Sequence, residues 1–362
     1  MLSISSAGAF AAGLLLPFVA ASVGRRQASE LAGAQPVDGA SLEVVIPAYL
    51  EATVIGESLE RLRDQLKHWP GESRITVVAS DEETAKASKT ADKVLEVGRH
   101  GKPAAVNAAL EASGSDVIVL TDANCEISPN DWPRLLLRDL SECRLVSGNK
   151  TEMVGPEGAF WKYEATVKRA THGSIGTLAV VGEFLAFRRL DFRPIPRATQ
   201  LDDLWLAMDF NRRGLRVGVS PDISTIEEAA PPREQWERRT RIAAGQMMEV
   251  VPRILELSRT AVGRLYLAHK LYRTTAGALA FWLSAISFVL IRPKLIAPIV
   301  VPLMSWAIAH YRGVMPAPRA TQPVCSAIAM QAVPIAGFIR VVKRMRQGRK
   351  GELNTGWTKI PR

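Results

Sequence analysis

Four acidic positions stand where the ends of short apolar runs would place them together: Glu51 after LEVVIPAY (42–49), Asp81 after RITVVAS (74–80), Asp122 near the end of DVIVLTDA (116–123), and the pair Asp202-Asp203. A carboxylate so placed can take a proton from a reacting group. With an oxygen neighbour such as Asn124 it can also ligate a hard divalent cation. Lys102 opens an Ala-rich stretch, and Arg238, Arg239 and Arg241 crowd one turn. Their cations suit phosphate-like anions, which the arginine fork binds bidentately. Each position also has an ordinary explanation. A lone acid after a strand caps a helix, and Asp202-Asp203 would favour a helix N-terminus by the dipole alone. Lys102 could be a solvated helix start, and the arginines could lie on anionic lipid. Four acids at successive strand ends are harder to explain that way.

The remaining reactive residue types form no such pattern. His68, His100, His172, His269 and His310 lack metal-ligand spacing and read as surface or packing residues. Cys125, Cys143 and Cys325 are odd in number and widely spaced, and read as buried reduced thiols.

The elements that must position the acids alternate in period from Leu42 to about Pro232. Strands are expected at 42–49, 74–80, 116–123, 144–148, 183–188 and 215–220. Helices are expected to about Lys67, from Asp81, over 102–113, and from an N-cap at Ser128 with Pro129 at N1 to about Leu140. The alternation predicts an α/β fold with a mostly parallel sheet covered on both faces. Ligands of such sheets collect beyond the carboxyl ends of the strands.

The order PAYLE (47–51), Asp81, KPAAVNAAL (102–110), DAN (122–124), GEFLAFRR (182–189), LDD (201–203) and RRTRI (238–242) resembles the family 2 glycosyltransferases, the membrane-embedded group that includes cellulose, chitin and hyaluronan synthases. The matching stretch runs from about residue 42 to 246. The resemblance implies a GT-A domain, a Rossmann-like nucleotide-sugar-binding sheet. It implies donor-binding roles for Pro47, Tyr49, Glu51, Asp81, Lys102, Asp122, Arg238 and Arg241. Asp122 with Asn124 occupies the D-x-D position, which implies Mg²⁺ or Mn²⁺. Asp203 matches the final Asp of T-E-D, the catalytic base of an inverting transfer, with Asp202 its competitor. The departures are Leu50 for the Asn of P-x-Y-N-E, Asn124 for the second Asp of D-x-D, Arg238 for the Gln of Q-x-x-R-W, and Ile242 for its Trp. Glu126 could compensate at the metal, and Glu183 could serve the acceptor-side wall or pair with Arg188.

The flanks point to a membrane. Of 362 residues, 46 are Lys or Arg and 36 Asp or Glu, a formal charge of +10. Apolar residues make up 47%, which excludes a disordered chain or a disulfide scaffold. Residues 4–24 are uncharged and followed by Arg25-Arg26, predicting an anchor over 1–26 rather than a cleaved leader. A linker (27–41) precedes the catalytic domain (42–232). Basic amphipathic helices are expected over 233–273, spans at 274–291 and 295–311, a re-entrant run at 320–339, and a basic tail over 340–362. The catalytic domain and tail would face the cytoplasm of an inner membrane. Because the basic residues sit beside apolar runs, they suit lipid headgroups and not nucleic acid.

The function expected is transfer of a sugar from a nucleotide sugar, by default a UDP-sugar, to a lipid or lipid-linked saccharide in cell-envelope or exopolysaccharide synthesis. Two alternatives are a processive polysaccharide synthase, disfavoured by Ile242, and an inactive glycosyltransferase-like scaffold.

Overall fold

The structure is a computed structural model and describes residues 39–152, 162–168, 175–227 and 231–348. The expected anchor, most of the linker, His172 and the tail beyond 348 lie outside the described residues. Two compact units are distinguished. The first takes the described residues 39–152, 168 and 175–227; the second takes 162–167 and 231–348.

The first unit is built on a sheet of eight strands: β1 (Leu42–Ala48), β2 (Ser73–Ala79), β3 (Lys93–Glu96), β4 (Val117–Thr121), β5 (Glu126–Ser128), β6 (Leu145–Glu152), β7 (Phe184–Arg188) and β8 (Val217–Glu227). Their order is β3-β2-β1-β4-β7-β6-β8-β5. The pairs β1–β2, β1–β4, β2–β3 and β6–β8 are parallel. Only β7 and β5 run against their neighbours, so the sheet is mixed but mostly parallel. β1 and β4 are buried along their whole length, as central strands covered on both faces must be.

The helices are α1 (Ile55–Leu66), α2 (Glu82–Ala87), α3 (Lys102–Glu111), α4 (Trp132–Glu142) and α5 (Asp202–Arg212). α1 buries Ile55, Leu59, Leu62 and Leu66, an apolar stripe at helical spacing. α4 buries Trp132, Leu136 and Leu140, and the Trp132 ring stands edge-on to Phe184 at 5.4 Å. Each large side chain so buried contributes roughly 1.5–3 kcal/mol. The helix expected from Ser128 begins instead at Trp132, with Asp131 as its N-cap. Ser128 is extended and paired with Ser224, so it cannot also turn into a helix.

The second unit holds α6 (Pro232–Val250), α7 (Ala261–Ile291), α8 (Pro293–Tyr311), α9 (Gln322–Met330) and α10 (Val333–Gly348). α7, with 31 residues, and α8, with 19, are long and apolar enough to cross a membrane. The helices over Arg319–Met330 and Val333–Arg346 meet at a 43° bend. The boundary expected at 273/274 falls inside α7, which stays continuous through two π-helical turns, Leu267–Leu271 and Arg273–Gly277. Leu279, Phe288, Leu290, Leu295 and Ile299 are exposed on α7 and α8, an apolar surface of the kind a bilayer covers. α10 crosses α6 closely at Gly337, where a Cβ would stand 2.9 Å from that of Ala243.

His269 is buried, in accord with a packing role, but it also reaches Glu164 Oε1 at 3.3 Å. Lys270 and Arg273 bind the same carboxylate.

Candidate active site

The sheet topology brings the acids together. β1, β2 and β4 run parallel, so Tyr49–Glu51, Asp81 and Asp122 all leave the same edge. β7 runs the other way, and Thr121 pairs with Phe184. The start of β7, with Gly182-Glu183 before it, therefore lies beside Asp122. α5 begins at Asp202-Asp203 and contributes both side chains from its first turn.

Lys102 is the cation that Asp122 and Asp202 share. It opens α3 after Gly101, whose φ of 89° favours glycine. Its ammonium donates to Asp122 Oδ1 at 2.7 Å and stands 3.9 Å from Asp202 Oδ2. Burial works against the charge on Lys102, but Asp122, Asp202 and Asp203 outweigh it and hold its pKa above the ordinary range. Lys102 thus pairs with Asp122, with a side chain 17% exposed, and is not a solvated helix start.

Asp203 is the acid set apart. Burial, then the Asp202 charge beside it, pushes its pKa up to about 6. Its Oδ1 accepts from the Leu204 amide at 2.8 Å. Gly182 packs against it: a Cβ at 182 would stand 3.7 Å from both Asp203 Oδ2 and Lys102 Nζ. A bare backbone thus borders the carboxylate and leaves room there.

Asp81 has a structural task. Its Oδ1 accepts from the Thr84 amide at 2.9 Å, capping α2. Its Oδ2 accepts from Thr84 Oγ1 at 2.8 Å and from the Leu50 amide at 2.7 Å. The last bond holds Leu50 at φ 57°, in a left-handed conformation that Asn tolerates better than Leu. Asp81→Ala is expected to lower unfolding stability by about 1–2 kcal/mol, the usual loss for a side-chain cap. Chemical denaturation checks this, and an unchanged midpoint would refute the clamp. Pro47 is buried in β1, and Tyr49 lies under the Arg99 guanidinium, 4.8 Å from its ring centre.

Other expected residues are arranged differently. Arg238 and Arg241 lie on α6, in the second unit, half-buried and exposed respectively. Trp236 on the same helix packs edge-on to Tyr311, under Arg312. Glu183 is bound by Lys150 at 2.6 Å, a partner absent from the expectations. Glu227, also unforeseen, accepts from Asn124 Nδ2 at 3.2 Å. No motif signals Lys150 or Glu227, because they reach the site through strand pairing alone. Among the described residues no group of three or more His, Cys, Asp or Glu could hold a metal ion. The donors near the D-x-D position are the Asp122 carboxylate and the Asn124 carbonyl.

Comparison with known proteins agrees with this architecture. No curated protein matches. A mannosyltransferase from Pyrobaculum calidifontis, solved in complex with GDP-Man and Mn²⁺, shares the fold with a TM-score of 0.69 at 22% identity, over 94% of this chain and 98% of that one. TarS 1-349 from S. aureus, in complex with UDP, aligns with a TM-score of 0.43 at 14% identity, over 85% of this chain and 92% of that one. Residues 43–191, which carry β1 through β7, match the model for glycosyl transferase family 2.

Proposed function

We propose that the chain transfers one sugar, with inversion, from a nucleotide-sugar donor to a membrane-associated acceptor such as a lipid or lipid-linked saccharide. The observation that carries this reading is the carboxylate of raised pKa beside an ammonium–carboxylate pair at the strand ends. Asp203 takes the proton of the acceptor hydroxyl as its oxygen bonds to the anomeric carbon and the nucleoside diphosphate departs. Asp202 Oδ2 stands 3.9 Å from the Lys102 ammonium. Tyr49, Glu51 and Asp81 border the nucleotide, Lys102 meets its phosphates, and Arg238 and Arg241 are further candidates for the diphosphate.

Asp122 and the Asn124 carbonyl suit a hard divalent cation, because Mg²⁺ commonly binds one or two protein oxygens and completes its shell with substrate phosphates and water. When bound, Mg²⁺ or Mn²⁺ would neutralise charge on the leaving diphosphate. The GDP-Man and Mn²⁺ of the Pyrobaculum structure support that pairing of nucleotide sugar and cation. The helices α7 and α8 support action at the membrane.

Full-length protein in detergent, given a panel of UDP- and GDP-sugars with Mn²⁺ or Mg²⁺ and membrane lipid extract, is expected to release one nucleoside diphosphate in a metal-dependent manner. Absence of both release and nucleotide binding would reject the reading. The pH profile tests the base. A base must be ionised to act, so kcat/KM is expected to rise with pH through about 6 and level above it. A flat profile across that range would remove Asp203 from the role.

A further inference from the structure

Beside Asp122 lies an ionic cluster that the proposed reaction does not use. Lys150 on β6 has a side chain only 2% exposed. Its ammonium donates to Glu183 Oε1 at 2.6 Å and to Glu227 Oε2. Glu227 ends β8 and, through Oε1, accepts from Asn124 Nδ2 at 3.2 Å. The main-chain carbonyl of Glu183 accepts from Thr121 Oγ1 at 2.8 Å, and Thr121 precedes Asp122. Side chains from β6, β8 and the residue before β7 thus tie the 122–124 turn to the Gly182-Glu183 turn.

Taking one ammonium and two carboxylates out of water is costly, and apolar side chains would hold strand ends as well. What the network adds is direction. An amide at 124 can donate to Glu227, whereas a carboxylate cannot. With its nitrogen so engaged, Asn124 has its carbonyl oxygen for a cation. We propose that Lys150 and Glu227 are positioning residues: they fix the Asp122–Asn124 turn through Asn124, which is required as a hydrogen-bond donor. This rests on the reading of the turn as the donor-phosphate and cation side of the site.

The proposal makes the apparent repair of the motif harmful. Asn124→Asp adds a carboxylate but sets it against Glu227. Asn124→Asp with Glu227→Gln reverses the hydrogen bond and restores it. Binding of UDP and GDP to the full chain, each alone and with Mn²⁺, separates the cases by calorimetry. Asn124→Asp is expected to lose the Mn²⁺-dependent increase in nucleotide affinity by about 10–100-fold, the usual cost of removing a supporting partner. The double variant is expected to regain most of it. Asn124→Ala, which lacks both donor and charge, is expected to show the same loss without rescue by Glu227→Gln. Undiminished Mn²⁺-dependent binding by Asn124→Asp, or a double variant no better than the single, would overturn the proposal. A wild-type protein that binds neither nucleotide would instead overturn the glycosyl-transfer reading, and the proposal with it.

Discussion

Asp203→Asn is expected to lower the rate of nucleotide release by about 10²–10⁴-fold, the range supplied by a positioned general base. The substitution keeps the size of the side chain and an acceptor oxygen for the Leu204 amide, so the first turn of α5 is retained. What it removes is the site for the acceptor's proton. KM for the donor is expected to change little, because the proposed reaction holds the donor from Lys102 and the β1 and β2 loops. The stability of the variant supplies a control. In the folded protein the carboxyl pKa lies near 6, above its ordinary value of 3.8. The native state therefore holds the proton more tightly than the unfolded chain, and stability falls as pH rises from about 4 to about 6. Above that window the buried charge opposes folding, and Asn removes it. Asp203→Asn should accordingly melt higher than wild type at neutral pH while being nearly inactive. Loss of activity with loss of stability would mark the residue as structural. Asp202→Asn separates the neighbours: if Asp202 were the base, the larger kinetic loss would belong to it.

Burial and proximity to Lys102 pull in opposite directions at Asp203. Asp202 stands within 3.9 Å of the ammonium. For Asp203, burial and the Asp202 charge exceed the attraction of Lys102. A buried acid so raised can exchange a proton near neutral pH.

Much of this was legible in the sequence because the acids follow apolar runs whose period identifies them as strand ends. Glu51, Asp81 and Asp122 needed only the alternation of strands and helices to be set along one edge. Lys150 and Glu227 could not be found that way. The expected strand 144–148 stopped at Gly148-Asn149, a turn signal. β6 instead continues to Glu152, past an irregularity in its pairing with β8 between Ser147 and Asn149. β8 likewise runs through Ser220-Pro221-Asp222, past the expected strand end at 220. Both polar extensions stay extended because they pair with each other, and their residues 150 and 227 then share one buried cluster. Local punctuation was overridden by long-range pairing, the usual limit of propensity in strands. The cap at Ser128 failed for the same reason, since β8 holds Ser128 in an antiparallel pair.

The same limit hid Glu164, and its replacement is the second large effect expected. Its carboxylate, 1% exposed, binds Arg273 Nη1 at 2.5 Å and His269 Nε2 at 3.3 Å, and also Lys270. The three partners fall at i, i+1 and i+4 along α7, close to one face. Charged side chains in a helix apolar enough to span a membrane are rare and are tolerated when paired. Burial works to raise the Glu164 pKa, but Lys270 and Arg273 dominate and hold it well below 4.5. Its stabilising charge is therefore complete above about pH 4.5 and lost only as pH falls below that. Glu164→Gln would remove the counter-charge that Lys270 and Arg273 share in a buried place. Breaking such a cluster costs about 3–5 kcal/mol. Thermal melting of the detergent-solubilised protein at neutral pH should show the loss, and Glu164→Gln combined with Lys270→Met should recover part of it. If Glu164→Gln melts with wild type, the cluster contributes nothing and α7 is held by its apolar packing alone. If the double variant melts lower than the single, Lys270 stabilises the unit through contacts other than Glu164.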